Sequence, residues 1–404
     1  LAAFFVLSRS VSVFLSSSLI ALLYLGNVFL TYSMRLRPMT LANIFTILSV
    51  YCLIRRRYLY LFILSILFPL THVSFFTIII FAVVCEILRL GLTREFAARN
   101  ILVVFIGNIL GCLLHPNNPN NWLSIHLNAF LTTWYSLVGI KLGFGNELYS
   151  RLLSAVFIEN FSTFCVIIGV LLISLKTSVK ASFATFVWFA CLCFYLFLAI
   201  FQTRHWYTTN ILSVVFFASF ARDWFINKPK EWVINKTRLI VVTVFILSGG
   251  LFNKNMQIFN GARTTYAIYN TKYENAAYWM SLNLPAGETI YHTDWDESPY
   301  FICLNPKNYY MNVLDPIYMF YAYPEVFVLY RNLHDGKIKK PYNILKRMLR
   351  LNYGYASRRS KMYIYIKEDS KHFKVLYDDG YGIVFQILNQ TYALSNKARK
   401  SNKR

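Results

Sequence analysis

The chain is poor in charged residues, and in acidic residues above all. Only 15% of its 404 residues are charged, and 18 Asp and Glu stand against 41 Lys and Arg. Long stretches carry no charge, while 56% of the residues are hydrophobic. A soluble protein of this length is less apolar when averaged over the whole chain. The scarcity of charge therefore predicts a protein with membrane-spanning helices.

Several motifs that carry chemistry in membrane proteins are also missing. The chain has no glycine-rich phosphate-binding loop, no nucleophile elbow and no HExxH sequence. Their absence argues against a nucleotide-driven pump and against a membrane zinc protease. We find no internal repeat either, although transporters usually contain paired repeats.

Cysteine is used mainly as a small apolar residue. Six of the seven cysteines lie in apolar runs, and only Cys303 lies in the more polar C-terminal part, so no disulfide framework is predicted there. Cys191 and Cys193 have no histidine or second cysteine pair nearby and do not match a metal motif. The sequence predicts no metal site and no cofactor.

Apolar runs follow one another up to residue 252, and a helix of about 20 apolar residues crosses a hydrocarbon core of roughly 30 Å. We predict spans at residues 11–32, 39–54, 100–114, 155–175, 182–201, 208–221 and 239–252. The run 58–88 is too long for one untilted span, and Pro69 and His72 in its middle predict two short helices that meet at a polar turn. Residues 123–150 are typical of an interfacial segment. Residues 1–252 thus form a predicted α-helical polytopic membrane domain.

The chain changes character near residue 253 and becomes polar and rich in tyrosine. A helix is predicted near 272–283, another begins at Pro316, and a basic amphipathic helix covers 341–350. Strands are predicted at 288–291, 309–313, 362–366, 373–377 and 382–388. The sequence Asp378-Asp379-Gly380 is a hairpin turn signal. These elements predict a soluble α/β domain over residues 253–390, followed by a basic disordered tail over 391–404.

The distribution of basic residues predicts the topology. Basic residues cluster in four loops that alternate onto one side of the predicted spans, at Arg55–Arg57, Arg89–Arg99, Lys176–Lys180 and Arg222–Arg238. The positive-inside rule makes that side the cytoplasm. The external side then receives the turns near Arg37 and His72, the loops after His115 and around Arg204, and the C-terminal domain. The net charge of +23 is explained by these loops, and we expect no nucleic acid partner.

Two external arginines are the first candidates for ligand binding. Arg37 precedes a span, and Arg204 is followed by His205, Trp206 and Tyr207. Arginine is suited to bind phosphate through two parallel hydrogen bonds, and the aromatic residues could pack on a sugar or a lipid chain. The alternative is that each arginine snorkels to the membrane interface.

Other polar residues of the membrane part are further candidates. His72, His115, Asn117 and Asn120 could bind a ligand on the external side, although His72 also fits a structural role, and asparagine is common in turns. Glu159 lies at the outer end of a predicted span, where it could serve as a base or lie in solvent.

A compact acidic cluster, His292-Thr293-Asp294-Trp295-Asp296-Glu297, marks the C-terminal domain. On a strand, His292, Asp294 and Asp296 would share one face, but no second ligand set accompanies them, so no metal site is predicted. A loop that closes over a site, or a capped turn before Pro299, fits as well. We expect Asp294 and Asp296 to position an acceptor or to close the site, and not to act as the catalytic base.

Four stretches resemble the GT-C superfamily of polytopic glycosyltransferases. They match the start of a central span, an external Asn/Pro loop and two parts of the external domain of bacterial members. The stretches are Arg35-Leu36-Arg37-Pro38 with Leu41, His115-Pro116-Asn117-Asn118-Pro119-Asn120-Asn121, Thr293-Asp294-Trp295-Asp296-Glu297-Ser298-Pro299 with Asn305, and Leu314-Asp315-Pro316.

This resemblance implies an enzyme of the bacterial inner membrane, with its C-terminal domain in the periplasm. Such enzymes transfer a sugar from a polyprenyl-phosphate donor to a lipid, glycan or protein acceptor. A carboxylate in the first external loop acts as the base, and since no residue here matches it, we expect it in a segment upstream of Leu1. A non-catalytic polysaccharide assembly or export protein, or a transporter, is the alternative.

Overall fold

The computed structural model describes residues 38–139, 160–176, 179–226, 273–313 and 315–389, with the single positions 16, 17, 19, 20, 156 and 235. Most of the predicted span 11–32, the span 239–252 and the tail 391–404 lie outside the described residues. The described residues belong to two compact units. The helical unit lies within Leu1–Lys141 and Gly145–Phe259, and the terminal unit lies within Asn260–Arg404.

Helices make up most of the described part of the helical unit. They are α1 (Met39–Arg55), α2 (Tyr58–Leu67), α3 (Phe76–Thr93), α4 (Ala98–Leu114), α5 (Asn120–Ile125), α6 (Thr132–Leu137), α7 (Phe161–Lys176), α8 (Phe183–Phe201) and α9 (Trp206–Phe225). Short 3-10 turns, Val73–Phe75 and Thr203–His205, precede α3 and α9, and a π-helical turn, His126–Leu131, joins α5 to α6. The predicted spans in the described residues therefore coincide with helices, and the run 58–88 divides between α2 and α3 as predicted.

Two glycines of α4 allow this helix to pack closely on α2. A Cβ at Gly107 would come within 2.6 Å of the Cβ of Ser65, and a Cβ at Gly111 would overlap the carbonyl oxygen of Ile66. Small residues four positions apart let two helix backbones approach, which is a common contact between helices in membranes. The α2–α4 contact thus depends on the absence of side chains at Gly107 and Gly111.

Buried polar side chains join other helices of this unit. Thr163 of α7 donates a hydrogen bond to Asn210 of α9, and the Nδ2 of Asn210 donates to the Oδ1 of Asn160 at 3.0 Å. At the other end of α9, Asp223 accepts hydrogen bonds from the backbone N–H of Ser182 and the hydroxyl of Thr185, both at 2.6 Å. Since a buried polar group without a partner is costly, these pairs fix the packing of α7, α8 and α9.

The surface of the helical unit is apolar over several helices. Val73–Thr93 and Phe183–Phe201 are long and apolar enough to cross a membrane, with a mean hydropathy of 2.3 each. Met39–Arg55, Tyr58–Leu67 and Ala98–Leu114 are apolar but shorter. Large apolar side chains are exposed on α2, α3, α4 and α8, among them Leu59, Ile87, Leu102, Phe105, Leu113, Phe197 and Ile200. The structure therefore gives two candidate spans among the described residues, where the sequence predicts more.

The terminal unit is built on a small mixed sheet. Its strands are β1 (Thr289–Tyr291), β2 (Tyr309–Tyr310), β3 (Tyr353–Ser357), β4 (Phe373–Asp378) and β5 (Gly382–Ile387). Its helices are α10 (273–283), α11 (Ser298–Leu304), α12 (Pro316–Ala322), α13 (Pro324–His334) and α14 (Lys361–Glu368). The strand order is β2-β1-β3-β5-β4, with β1 parallel to β2 and β3, and β5 antiparallel to β3 and β4. The predicted hairpin is the β4–β5 turn, where Gly380 has a φ of +80°.

The strand predicted at 362–366 is wrong, because this segment lies in helix α14. Its alternating sequence resembles a strand, but the hydroxyl of Ser360 accepts a hydrogen bond from the N–H of Met362 at 3.2 Å and caps the helix. Met362 and Ile366, four positions apart, are both buried on one helix face.

Other elements of the terminal unit also differ from the predictions. The strand β3 was not predicted, the strand predicted over 309–313 is reduced to Tyr309–Tyr310, and the basic helix over 341–350 is a π-helix at Asn343–Met348. Tyrosine and phenylalanine fill the core between α10 and the sheet, where the rings of Phe301 and Tyr355 lie 4.9 Å apart. The abundance of tyrosine is thus partly explained by packing.

Candidate functional site

A cavity of about 410 Å³ opens in the helical unit, and three of the predicted ligand-binding residues line it. His72 lies in the turn before α3, while Arg204 and His205 lie in the 3-10 turn between α8 and α9. Since α3 packs against α8, these two turns meet at the same end of the helices. The structure therefore brings together residues that the sequence places on two separate external loops.

Gln202 orients both Arg204 and His205. Its Oε1 accepts one hydrogen bond from the Nε of Arg204 and another from the Nε2 of His205, each at 3.0 Å. The Gln202 side chain is fully buried, so the two bonds form away from solvent. Gln202 is not among the residues predicted from the sequence, although a polar residue at the end of an apolar run and two positions before Arg204 is a usable signal.

His72 combines a structural contact with a position on the cavity wall. Its Nδ1 accepts a hydrogen bond from the backbone N–H of Ser74 at 3.1 Å and lies 2.7 Å from the Ser74 hydroxyl. Because Nδ1 accepts, the neutral ring carries its proton on Nε2 and can donate from there. The structural role and the ligand-binding role considered for His72 are therefore compatible.

The remaining wall of the cavity is mostly apolar and aromatic, with a few polar groups. The aromatic residues are Phe76, Phe130, Trp134, Phe194 and Tyr195. Asn43 of α1 also lines the cavity, and its Oδ1 accepts a hydrogen bond from the hydroxyl of Thr208 at 2.7 Å.

The Nδ2 of Asn43 has no hydrogen-bond partner among the described residues, although only 4% of Asn43 is exposed. A buried donor without an acceptor is costly, so the hydrogen bonding of this amide is incomplete among the described residues. The described lining contains an arginine, two histidines and this amide, and it contains no carboxylate. Its chemistry therefore favours an anionic group attached to an apolar chain.

The other predicted residues of the helical unit lie elsewhere. His115 and Asn117 belong to the turn between α4 and α5, Asn120 is the first residue of α5, and none of the three lines the cavity. The Nδ1 of His115 accepts a hydrogen bond from the N–H of Asn117 at 3.0 Å, while Asn117 and Asn120 are exposed. Arg37 and Glu159 lie outside the described residues.

The acidic cluster of the terminal unit forms a capped turn, which was one of the two alternatives considered. Asp294 precedes the 3-10 turn Trp295–Glu297, and its Oδ1 accepts a hydrogen bond from the N–H of Trp295 at 2.8 Å. The carboxyl group of Glu297 accepts from the N–H groups of Thr293 and Asp294 at 2.9 and 3.1 Å. This reciprocal arrangement is a capping box.

His292 and Glu297 are buried beside this turn. Burial raises the pKa of Glu297 to about 8, although hydrogen bonds from Asp294 and Thr293 act in the opposite direction. Burial also lowers the pKa of His292 to about 4. The Nδ1 of His292 donates to the carbonyl oxygen of Asp294 at 2.6 Å, and its Nε2 accepts from the N–H of Asn312 at 3.3 Å. Both ring nitrogens are therefore used by the backbone.

The shared strand face expected for His292, Asp294 and Asp296 does not form, because β1 ends at Tyr291. Instead, Asp294 and Asp296 line a second cavity, of about 350 Å³, in the terminal unit. Within the described ranges, no group of three His, Cys, Asp or Glu side chains is placed to hold a metal ion.

Comparison with known proteins adds no relative, since no protein-family model matches the chain and no curated protein matches it either.

Proposed function

We propose that this protein is a membrane glycosyltransferase that takes a sugar from a polyprenyl-phosphate donor. The observation that carries the proposal is the position of Arg204 on an aromatic cavity, held there by Gln202 and flanked by His72 and His205. A cavity of about 410 Å³ lies within the size range of small-molecule sites.

The chemistry of the cavity suits such a donor. When an acceptor hydroxyl attacks the anomeric carbon, the bond from that carbon to the phosphate oxygen breaks, and the phosphate leaves with the electron pair. Its negative charge needs fixed donors, which Arg204 and the Nε2 proton of His72 supply at this wall. The rings of Trp134 and Phe194 offer an apolar surface to the first part of the lipid chain.

The described lining of the cavity contains no carboxylate that could remove the proton of the acceptor. The motif resemblance implies a carboxylate in an external loop, and Glu159 is a further candidate. Without a base the same cavity would bind the lipid phosphate and transfer nothing. That behaviour is expected of a non-catalytic polysaccharide assembly or export protein, which is the second candidate function.

A turnover experiment separates the two candidates. Full-length protein in lipid vesicles is given radiolabelled polyprenyl-phosphate hexoses and an acceptor extract, and transfer is followed as labelled product. We expect transfer by the wild-type protein and a loss of about tenfold or more for Arg204→Ala, because a charge-assisted contact contributes roughly 1.5–3 kcal/mol. Arg204→Lys should recover part of the activity, since lysine lacks the planar fork.

Arg222→Ala is the matched control, because Arg222 lies at the opposite end of the adjoining helix α9 and does not line the cavity. Wild-type turnover in Arg204→Ala at equal expression would contradict the role proposed for the arginine. Donor binding without any transfer by the wild-type protein would favour the non-catalytic function.

We further propose that the helical unit spans the bacterial inner membrane and that the terminal unit lies on its external face. The apolar side chains exposed on α2, α3, α4 and α8 support a lipid-facing surface, and the basic loops support the orientation.

Cys303 is exposed in the terminal unit, so a membrane-impermeant maleimide should label it in cells with a permeable outer membrane and an intact inner membrane. Cys303→Ser is the control that should lose this label. Labelling of Cys303 only after the inner membrane is opened would contradict the orientation.

A further inference from the structure

The second cavity lies at a point where the order of the strands reverses. In the sheet, β2 lies on one side of β1 and β3 lies on the other side. The chain runs from β1 through α11 to β2, and it then crosses to the far side of β1 to form β3. Both neighbours are parallel to β1, so the carboxyl ends of the three strands lie at the same edge of the sheet. In open α/β sheets this reversal opens a crevice, and ligands bind there.

The cavity of about 350 Å³ occupies this crevice. One wall is the turn that follows β1, from Thr293 to Glu297, and the other is the segment that follows β3, from Ser357 to Lys361. We call this cavity the β1–β3 crevice.

The floor of the β1–β3 crevice is fixed by hydrogen bonds. The hydroxyl of Thr293 accepts from the N–H of Ser357 at 3.1 Å and donates to the Oε1 of Glu297 at 2.9 Å. The Nδ1 of His334 donates to the carbonyl oxygen of Thr293 at 2.7 Å. These bonds join the turn after β1 to the end of β3 and to α13, so the two walls keep a fixed distance from each other.

The lining of the crevice contains both hydrogen-bond acceptors and hydrogen-bond donors. Asp294, Asp296 and Asp335 provide carboxylates, Arg359 and Lys361 provide cations, and Ser360 provides a hydroxyl. The carboxylates balance the two cations, so the crevice offers no excess of positive charge to hold a phosphate or another polyanion. Neutral hydroxyl groups both donate and accept, and they can pair with carboxylates and with guanidinium groups at once.

We propose that the β1–β3 crevice binds the hydroxyl groups of a neutral sugar within a glycan. This site is separate from the Arg204 cavity, since its lining lies wholly in the terminal unit. If the protein transfers a sugar, a role that rests on the proposed function, the glycan bound here is the acceptor. The acceptor would then be a glycan, and neither a protein nor a bare lipid.

A glycan array tests the proposal directly. Full-length protein in nanodiscs is applied to an array of neutral, acidic and phosphorylated glycans, and the dissociation constant of a retained neutral glycan is then measured. We expect neutral glycans to be retained, and Asp296→Ala and Arg359→Ala each to weaken binding about tenfold. Glu325→Gln, an exposed charge change on α13 outside the crevice, should bind as the wild type does.

Three outcomes would overturn the proposal. They are an array that retains no glycan, an array that retains only charged glycans, and unchanged affinity in both crevice variants. Arg204→Ala should bind the glycan with the wild-type affinity. If Arg204→Ala loses glycan affinity while the crevice variants bind normally, the sugar binds in the Arg204 cavity. If the protein retains glycans but transfers no labelled sugar, the proposed glycosyltransferase function is contradicted and the glycan site in the crevice is supported.

Discussion

The two units use their buried polar side chains in different ways. In the helical unit, Gln202 holds the side chains of Arg204 and His205 on a cavity wall. In the terminal unit, Glu297 and His292 hold backbone groups of the turn after β1. Helices satisfy most of their own backbone groups, so a buried side chain such as Gln202 can bind other side chains, and only helix ends, such as the start of α8 at Ser182, need a side-chain acceptor such as Asp223. An irregular turn leaves backbone groups unpaired, and neighbouring side chains are needed to pair with them.

The largest effect is expected from removing the carboxyl group that holds the turn. Glu297→Ala leaves the N–H groups of Thr293 and Asp294 without their acceptor inside the unit. The terminal unit should lose about 2–4 kcal/mol of stability. Hydrogen exchange of the full-length protein would show this as faster exchange in the sheet. Glu325→Ala, at an exposed site, is the control. If the sheet amides of Glu297→Ala are as well protected from exchange as those of Glu325→Ala, the Glu297 carboxyl group is not needed to hold the turn.

A second change tests the helical unit by its packing. Gly111→Leu places a side chain against the backbone of α2 and should cost about 1–3 kcal/mol or more. Gly169→Leu is the matched control in α7, because no described atom outside the backbone of its own helix lies within 4 Å of a Cβ at that position. Thermal unfolding in detergent, followed by size-exclusion chromatography, measures both variants. Equal stability of the two would mean that α2 and α4 do not pack as described.

The stability of the terminal unit should depend on pH. Folded Glu297 keeps its proton up to about pH 8, whereas the unfolded chain releases it near the ordinary value of 4.5. The folded state then binds more protons in this window, so stability falls as pH rises. His292 acts in the opposite direction, because its pKa is about 4 in the fold against an ordinary value of 6.5.

Between pH 6.5 and 8 the folded and the unfolded chain differ in the protonation of Glu297, whereas His292 has lost its proton in both. Stability should therefore decrease by about 1–2 kcal/mol over this range. Denaturant unfolding at several pH values measures the decrease, and Glu297→Gln should abolish it. A stability that rises over the same range would mean that Glu297 is charged in the folded state.

A smaller effect is expected from the residue that orients Arg204. Gln202→Leu removes the acceptor shared by Arg204 and His205, so both side chains lose a fixed position. We expect transfer to fall about fivefold, mainly through a higher KM for the donor, since each neutral hydrogen bond contributes roughly 1 kcal/mol. Gln202→Glu keeps an acceptor and should retain more activity. If both variants show the wild-type KM, Gln202 does not position the donor site.

The helices of the first unit follow from the sequence because hydropathy and chain breaks decide them. Pro69 and His72 divide one apolar run into α2 and α3, and Arg204 and His205 mark the turn before α9. The hydrogen bond between Asn43 and Thr208 could not be predicted, since 165 positions separate the two residues and only tertiary packing brings them together.

The terminal unit was predicted less well, because its local signals conflict. The alternation in Met362–Ile366 favours a strand, while the cap at Ser360 and the i, i+4 burial decide for a helix. The acidic cluster is predicted from the sequence, but spacing alone does not show that Glu297 binds backbone groups while Asp296 lines the β1–β3 crevice.

The most direct test of the account is the binding of polyprenyl phosphate, without a sugar, to the full-length protein in nanodiscs. Wild type and Arg222→Ala should bind with the same dissociation constant, Arg204→Ala should bind about tenfold or more weakly, and Arg204→Lys should lie between them. Equal affinities in the wild type and Arg204→Ala would contradict the claim that the Arg204 cavity holds the lipid phosphate.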